Sequence, residues 1–182
     1  MSDPLPGSFA ASKKPPEDIR QVLLDAILDD TDEEFTNRVS EVLKENQLPG
    51  ASLFLPLVEH EEPVVRRRSV FLLSQIGGDE AIQAISARLY DESPVVQSSA
   101  VSSLGRLKAA AAVEALCGLF RNGADPSLCK AAAEALLKIG DPAAIPTLQE
   151  AAKTFPGVVV RSACDMAVRR LLSLQRAANA AG

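Results

Sequence analysis

The sequence has no tryptophan, one tyrosine and one histidine, and aromatic residues make up only 4% of its 182 positions. Strand-built cores draw on β-branched and aromatic side chains. With aromatics this scarce and Ala and Leu plentiful, helix-formers must build this one. The three cysteines, Cys117, Cys129 and Cys164, lie far apart without a CxxC pair. That excludes a disulfide scaffold and fits buried thiols in a reduced, intracellular protein. Metal sites need clustered His, Cys or carboxylate ligands, and the lone His60, in the turn VEHEEP, is expected simply to meet solvent. Nor is there a glycine-rich phosphate loop, or a cysteine set beside a base as nucleophilic catalysis requires. No metal or other cofactor is therefore expected.

Long apolar runs are missing as well. Nothing approaches the roughly 18 residues of a membrane span. The first twenty residues carry four prolines and Lys13-Lys14 without a signal-peptide core, so a disordered lead-in over 1–15 is expected in a cytoplasmic protein with no membrane partner. Charge is unevenly spread. Residues 1–62 hold 14 acidic and 5 basic side chains, whereas 63–182 hold 10 acidic and 14 basic. Such asymmetry suits an acidic arm that screens a basic body, two faces for different partners, or simply two solvated halves.

What the chain does have is a repeat. Val65, Ser69, Leu72, Leu73 and Ile76 form one helical face. A shift of about 31 residues gives Val96, Ala100, Ser103, Leu104 and Leu107. Further shifts give Leu128, Ala132, Ala135, Leu136 and Ile139, then Val160, Cys164, Ala167, Val168 and Leu171. Pro63, Pro94 and Pro126 precede the first three of these faces, each in the first turn of a helix, where the missing N–H costs nothing. Gly77 and Gly140 are expected to terminate helices in the left-handed conformation, with Asp79 and Asp141 capping the next ones. Each unit is then a helical hairpin. The pattern predicts an all-α, right-handed α-solenoid of about five hairpins over 16–172, at about 16–47, 50–77, 78–108, 109–140 and 141–172. The acidic first hairpin suits an end cap, and residues 173–182 should fray.

The second-helix pattern, Pro63-Val64-Val65-Arg66…Leu73…Ile76-Gly77 and its three echoes, resembles the short HEAT-like repeats first grouped with the phycobilisome lyases. In that family the arginine after the Val pairs with an acidic residue of a neighbouring turn, forming a structural ladder. The resemblance places Arg66 and Arg161 on it, with Glu61, Glu62 or Asp91 as acceptors for Arg66, and Gln97 and Cys129 interrupt it. It also implies that the concave surface is lined by the second helices. Helical spacing then puts partner-binding residues at Arg67, Val70, Phe71, Ser74, Val101, Lys130, Glu134, Leu137, Met166 and Arg169. An aromatic beside an arginine fits the composition of an interface hot spot, provided that Phe71 is not fully buried.

Three functions are consistent with such a solenoid. The reading preferred from sequence is a non-enzymatic adaptor, a monomer that grips another protein on this groove. A second is a bilin-handling subunit of the phycobilin lyase kind. The third is nucleic-acid binding, as in HEAT-like alkylpurine glycosylases, through Arg66-Arg67-Arg68, Arg106, Arg169 and Arg170; a pI near 5.0 and the lack of tryptophan weigh against it. HEAT-like deoxyhypusine hydroxylases carry several His-Glu pairs for a di-iron site, and the single His60-Glu61 pair does not rebuild one.

Overall fold

The computed structural model describes residues 50–181. The expected lead-in over 1–15 and the acidic hairpin at 16–47 lie outside the described residues. Four helical hairpins follow one another from Gly50 onward. Their first helices are α1 (Gly50–Phe54, continued by a 3-10 turn at Leu55–Glu59), α3 (Asp79–Ala87, continued at Arg88–Tyr90), α5 (Val113–Arg121, entered through Ala110–Ala112) and α7 (Ile145–Thr154, entered through Pro142–Ala144). Their second helices are α2 (Pro63–Ile76), α4 (Pro94–Leu107), α6 (Pro126–Ile139) and α8 (Val158–Ala181). Among the described residues there is no strand. The architecture is an all-α solenoid.

Proline and glycine set the helix limits. Pro63, Pro94 and Pro126 each open a helix of 14 residues, since proline fixes φ near its helical value and has no N–H to leave unpaired. Gly140 ends α6 in the left-handed conformation at φ 82°, and Gly77 ends α2 at φ 75° with an extended ψ. At the end of α4 the sequence offers no glycine, and Lys108 takes φ 50° and ψ 44° instead. Asp141 caps as expected, its Oδ1 accepting from the Ala143 N–H at 2.8 Å. Asp79 does not, because the extra glycine of Gly77-Gly78 occupies the cap position and moves Asp79 into the first turn of α3. There its charge faces the positive end of the helix dipole.

The second helices lie side by side, α2 against α4, α4 against α6, and α6 against α8. The predicted apolar face forms the core: Val65, Leu72, Leu73, Val96, Leu104, Leu136, Val160 and Leu171 are all buried. Small residues stand where helices approach closely. Ser69, Ala100, Ala132 and Cys164 are buried at one repeated slot. Gly105 is a sharper case, since a Cβ there would stand 3.0 Å from both Cα and Cβ of Ala135. Helix α8 runs on to Ala181, past the point where fraying is expected; its last turns are exposed but rich in alanine, the best helix-former. Among the described residues no helix is long and apolar enough to cross a membrane.

Candidate functional site

The slot after each anchor residue holds Arg66, Gln97, Cys129 and Arg161. All four side chains reach a carbonyl five or six residues back, in the connection that leads into their own helix. Arg66 Nη1 donates to His60 O and Glu61 O, both at 2.8 Å. Gln97 Nε2 donates to Asp91 O at 2.7 Å, Cys129 Sγ lies 3.5 Å from Ala124 O, and Arg161 Nη1 lies 3.4 Å from Phe155 O. Gln97 and Cys129 are therefore not simple gaps in a ladder, because each still ties its loop to its helix. Only the ion pair between repeats is special to Arg66.

That pair is bidentate, with Nε to Asp91 Oδ2 at 2.9 Å and Nη2 to Oδ1 at 2.8 Å. Glu92 adds a third carboxylate contact at 3.0 Å. The two main partners are only 5% and 2% exposed. Burial alone would raise the Asp91 pKa. The Arg66 hydrogen bonds, the Ser93 N–H and the charges of Arg66 and Arg88 outweigh it and hold the carboxyl below its ordinary value. This cluster holds two hairpins together.

The exposed ridge of the second helices is where the sequence placed a partner. Arg67, Lys130, Met166 and Arg169 are exposed there, and Phe71, Glu134 and Leu137 are half-buried. Val70, Ser74 and Val101 are buried and cannot meet a partner. The reason is lateral packing. Val70, Val101 and Ala133 share one position in the repeat, and the following second helix covers it; on α8 the same position is Asp165, which is exposed. Ser74 is turned inward, donating to Phe71 O at 2.6 Å.

Phe71 keeps part of its ring accessible, under the guanidinium of Arg106 at 4.9 Å from the ring centroid. The same guanidinium donates to Ser74 Oγ. Arg106 is thus fixed on the ridge by a neighbouring helix. Lys130 pairs with Glu134 at 2.7 Å along α6. Sequence reasoning passed over Lys138, and the signal for it was a spacing. Ten residues beyond each anchor the chain reads Gln75, Arg106, Lys138 and Arg170, and the three cations are exposed.

A shallow cleft of about 350 Å³ lies at the opposite ends of these helices, lined by His60, Glu61, Arg88, Tyr90 and Glu92 together with the buried ion pair. Its polar groups serve the fold. His60 is half-buried rather than solvated, and its Nδ1 accepts from the Glu62 N–H at 3.1 Å. Arg88 donates to Val58 O at 3.1 Å. Cys117, Cys129 and Cys164 are buried and unpaired; burial pushes the Cys129 and Cys164 thiols up to about 11, far from the thiolate form a nucleophile needs. Among the described residues no three His, Cys, Asp or Glu side chains converge as metal ligands. The residues present do not fit a di-iron site built from His-Glu pairs.

A family model described as HEAT repeats matches residues 50–131 and 84–169. Deoxyhypusine hydroxylase of Gallus gallus is 34% identical over 121 residues, which is 65% of this chain and 40% of that protein. The structure of human deoxyhypusine hydroxylase in complex with glycerol superposes with a TM-score of 0.62 at 24% identity, covering 87% of this chain and 64% of that one. The complex of CpcE and CpcF of phycocyanin lyase from Nostoc sp. PCC7120 superposes with a TM-score of 0.57 at 23% identity, over 92% and 70% of the two chains. At these identities both structures speak for the fold alone. This chain spans about 40% of the length of the Gallus gallus relative. The relatives nonetheless overturn the preferred reading of a non-enzymatic adaptor, because the proteins similar in sequence carry the name of an enzyme. They lend nothing to the bilin-handling or nucleic-acid alternatives.

Proposed function

This chain belongs to the HEAT-repeat family, and we propose that it serves an enzyme system of the deoxyhypusine hydroxylase kind, with the exposed ridge of α2, α4, α6 and α8 holding a protein substrate. The observation that carries the proposal is the 34% identity over 121 residues to a hydroxylase of that name. The ridge supports it by setting cations one turn from apolar side chains, Arg67 from the half-buried Phe71 and Arg169 from the exposed Met166, a composition suited to gripping a polypeptide. Lys130, Glu134 and Leu137 continue the ridge between them. The cytoplasm is the proposed compartment, consistent with three unpaired thiols. The part proposed for the ridge residues is to bind and orient the substrate.

The test is depletion and restoration. Extracts of the source cells, with and without this protein, are given a polypeptide bearing deoxyhypusine, and mass spectrometry follows the gain of one oxygen atom. The proposal predicts that oxygen gain falls in the depleted extract and returns when the purified full chain is added. Equal oxygen gain in both extracts contradicts it.

A further inference from the structure

The row Arg106, Lys138 and Arg170 repeats one cation per hairpin across three neighbouring helices, at the same height on each. None of the three has a carboxylate within ion-pair distance among the described residues. Arg66, Arg121 and Lys130 pair with Asp91, Glu114 and Glu134, whereas Arg67 and Arg169 on the same ridge, like the row, have no carboxylate within ion-pair distance among the described residues. Residues 50–182 hold 13 acidic and 14 basic side chains, and the row sets a line of positive charge on one face of them. Arg169 stands exposed next to the row and strengthens its α8 end.

The period of the row selects a ligand. Packed helices stand roughly 8–10 Å apart, which sets the step between the backbone positions of the row. A polyproline-type strand rises about 3.1 Å per residue with three residues per turn, so every third side chain points the same way, about 9 Å apart. A β-strand fails the match, because its side chains alternate and residues three apart face opposite sides. A helix laid across the row matches less closely, since its in-phase residues stand seven apart, about 10.5 Å along the axis.

We propose that Arg106, Lys138 and Arg170 bind an extended acidic segment of a partner protein that carries a carboxylate at every third residue and runs across the second helices. This rests on the reading that the ridge holds a protein substrate, and it names the chemistry of the segment held. Arg106 is already fixed by Phe71 and Ser74, so little of its side-chain entropy remains to be lost on binding. Recognition by all three cations makes the affinity sensitive to the spacing of the carboxylates, and not only to their number.

Fluorescence anisotropy with the full chain tests this, using two synthetic peptides of one composition. One has glutamates at every third position, and the other has them in a block. The spaced peptide is expected to bind at least about tenfold more tightly. The triple variant Arg106→Glu, Lys138→Glu, Arg170→Glu should lose that binding. The milder Lys138→Gln, Arg170→Gln variant should weaken it, and Lys153→Glu on α7 should leave it unchanged, all with wild-type circular dichroism. Equal affinity for both peptides overturns the proposal, as does binding that survives the triple variant. A single-stranded oligonucleotide that binds the row more tightly than the spaced peptide overturns it in favour of nucleic acid. Self-association abolished by the triple variant overturns it in favour of a second copy. Failure here with normal oxygen gain in restored extracts removes the acidic segment and leaves the hydroxylase reading in place.

Discussion

Arg66 holds Asp91 through two parallel hydrogen bonds of 2.9 and 2.8 Å, with both side chains almost wholly out of solvent. Arg66 lies in α2 and Asp91 in the connection before α4, so the pair fastens one hairpin to the next. Removing one partner leaves the other buried and uncompensated, which costs about 3–5 kcal/mol. Arg66→Ala is therefore expected to lose about that much stability in urea unfolding. Arg66→Lys should lose a large part of it as well, because an ammonium cannot reproduce the planar fork. A loss below about 1 kcal/mol in Arg66→Ala would mean that the pair does not hold the hairpins together.

The same pair makes stability depend on acid. Asp91 has its folded pKa below the unfolded value, so its contribution is complete above the unfolded carboxyl pKa of about 3.9. The contribution is lost as pH falls through the lower, folded value. Urea midpoints measured between neutral pH and about pH 3 should decline at the acid end. In Asp91→Asn, weaker at neutral pH, that decline should be smaller. Parallel declines in both proteins would assign acid sensitivity to other carboxylates.

Much of this architecture was legible from the chain. The recurring face of Val65, Leu72 and Leu73 and its echoes announced the core, and Pro63, Pro94 and Pro126 announced the helix starts. Less legible was which side of a second helix meets its neighbour. Val70 and Val101 sit opposite the core face, and helical periodicity alone reads them as surface, whereas lateral packing between helices an entire repeat apart buries them. The ladder slot was obscured differently: Gln97 and Cys129 differ from arginine in charge and size, yet each reaches a carbonyl of the connection before its helix, six and five residues back. The enzyme relationship left no mark in residue chemistry at all, for the described side chains hold no ligand cluster.

Gly105 lets α4 and α6 close on each other. An added methyl would lie 3.0 Å from the Ala135 backbone and side chain, too near for either to yield cheaply. Gly105→Ala gains about 1 kcal/mol of helix propensity and incurs an overpacking cost of about 1–3 kcal/mol. A net loss of about 1 kcal/mol in thermal or urea unfolding is expected. A gain would show that the two helices can part without penalty.

Lys108 offers the opposite case. It holds φ 50° at the end of α4, a conformation that costs an L-residue roughly 1–2 kcal/mol and glycine almost nothing. Lys108→Gly should stabilise the protein by about 0.5–1 kcal/mol after the added entropy of the unfolded chain is subtracted. A destabilised variant would indicate that the Lys108 side chain contributes more than its backbone strain removes.

The proposed role of the second-helix ridge, holding the substrate of a hydroxylase of the deoxyhypusine kind, is tested most directly by calorimetric titration of the full chain with a deoxyhypusine-bearing polypeptide. Binding is expected, weakened by about tenfold or more in Arg67→Ala, Phe71→Ala with the fold intact. No binding, or binding indifferent to the ridge variant, would contradict that role.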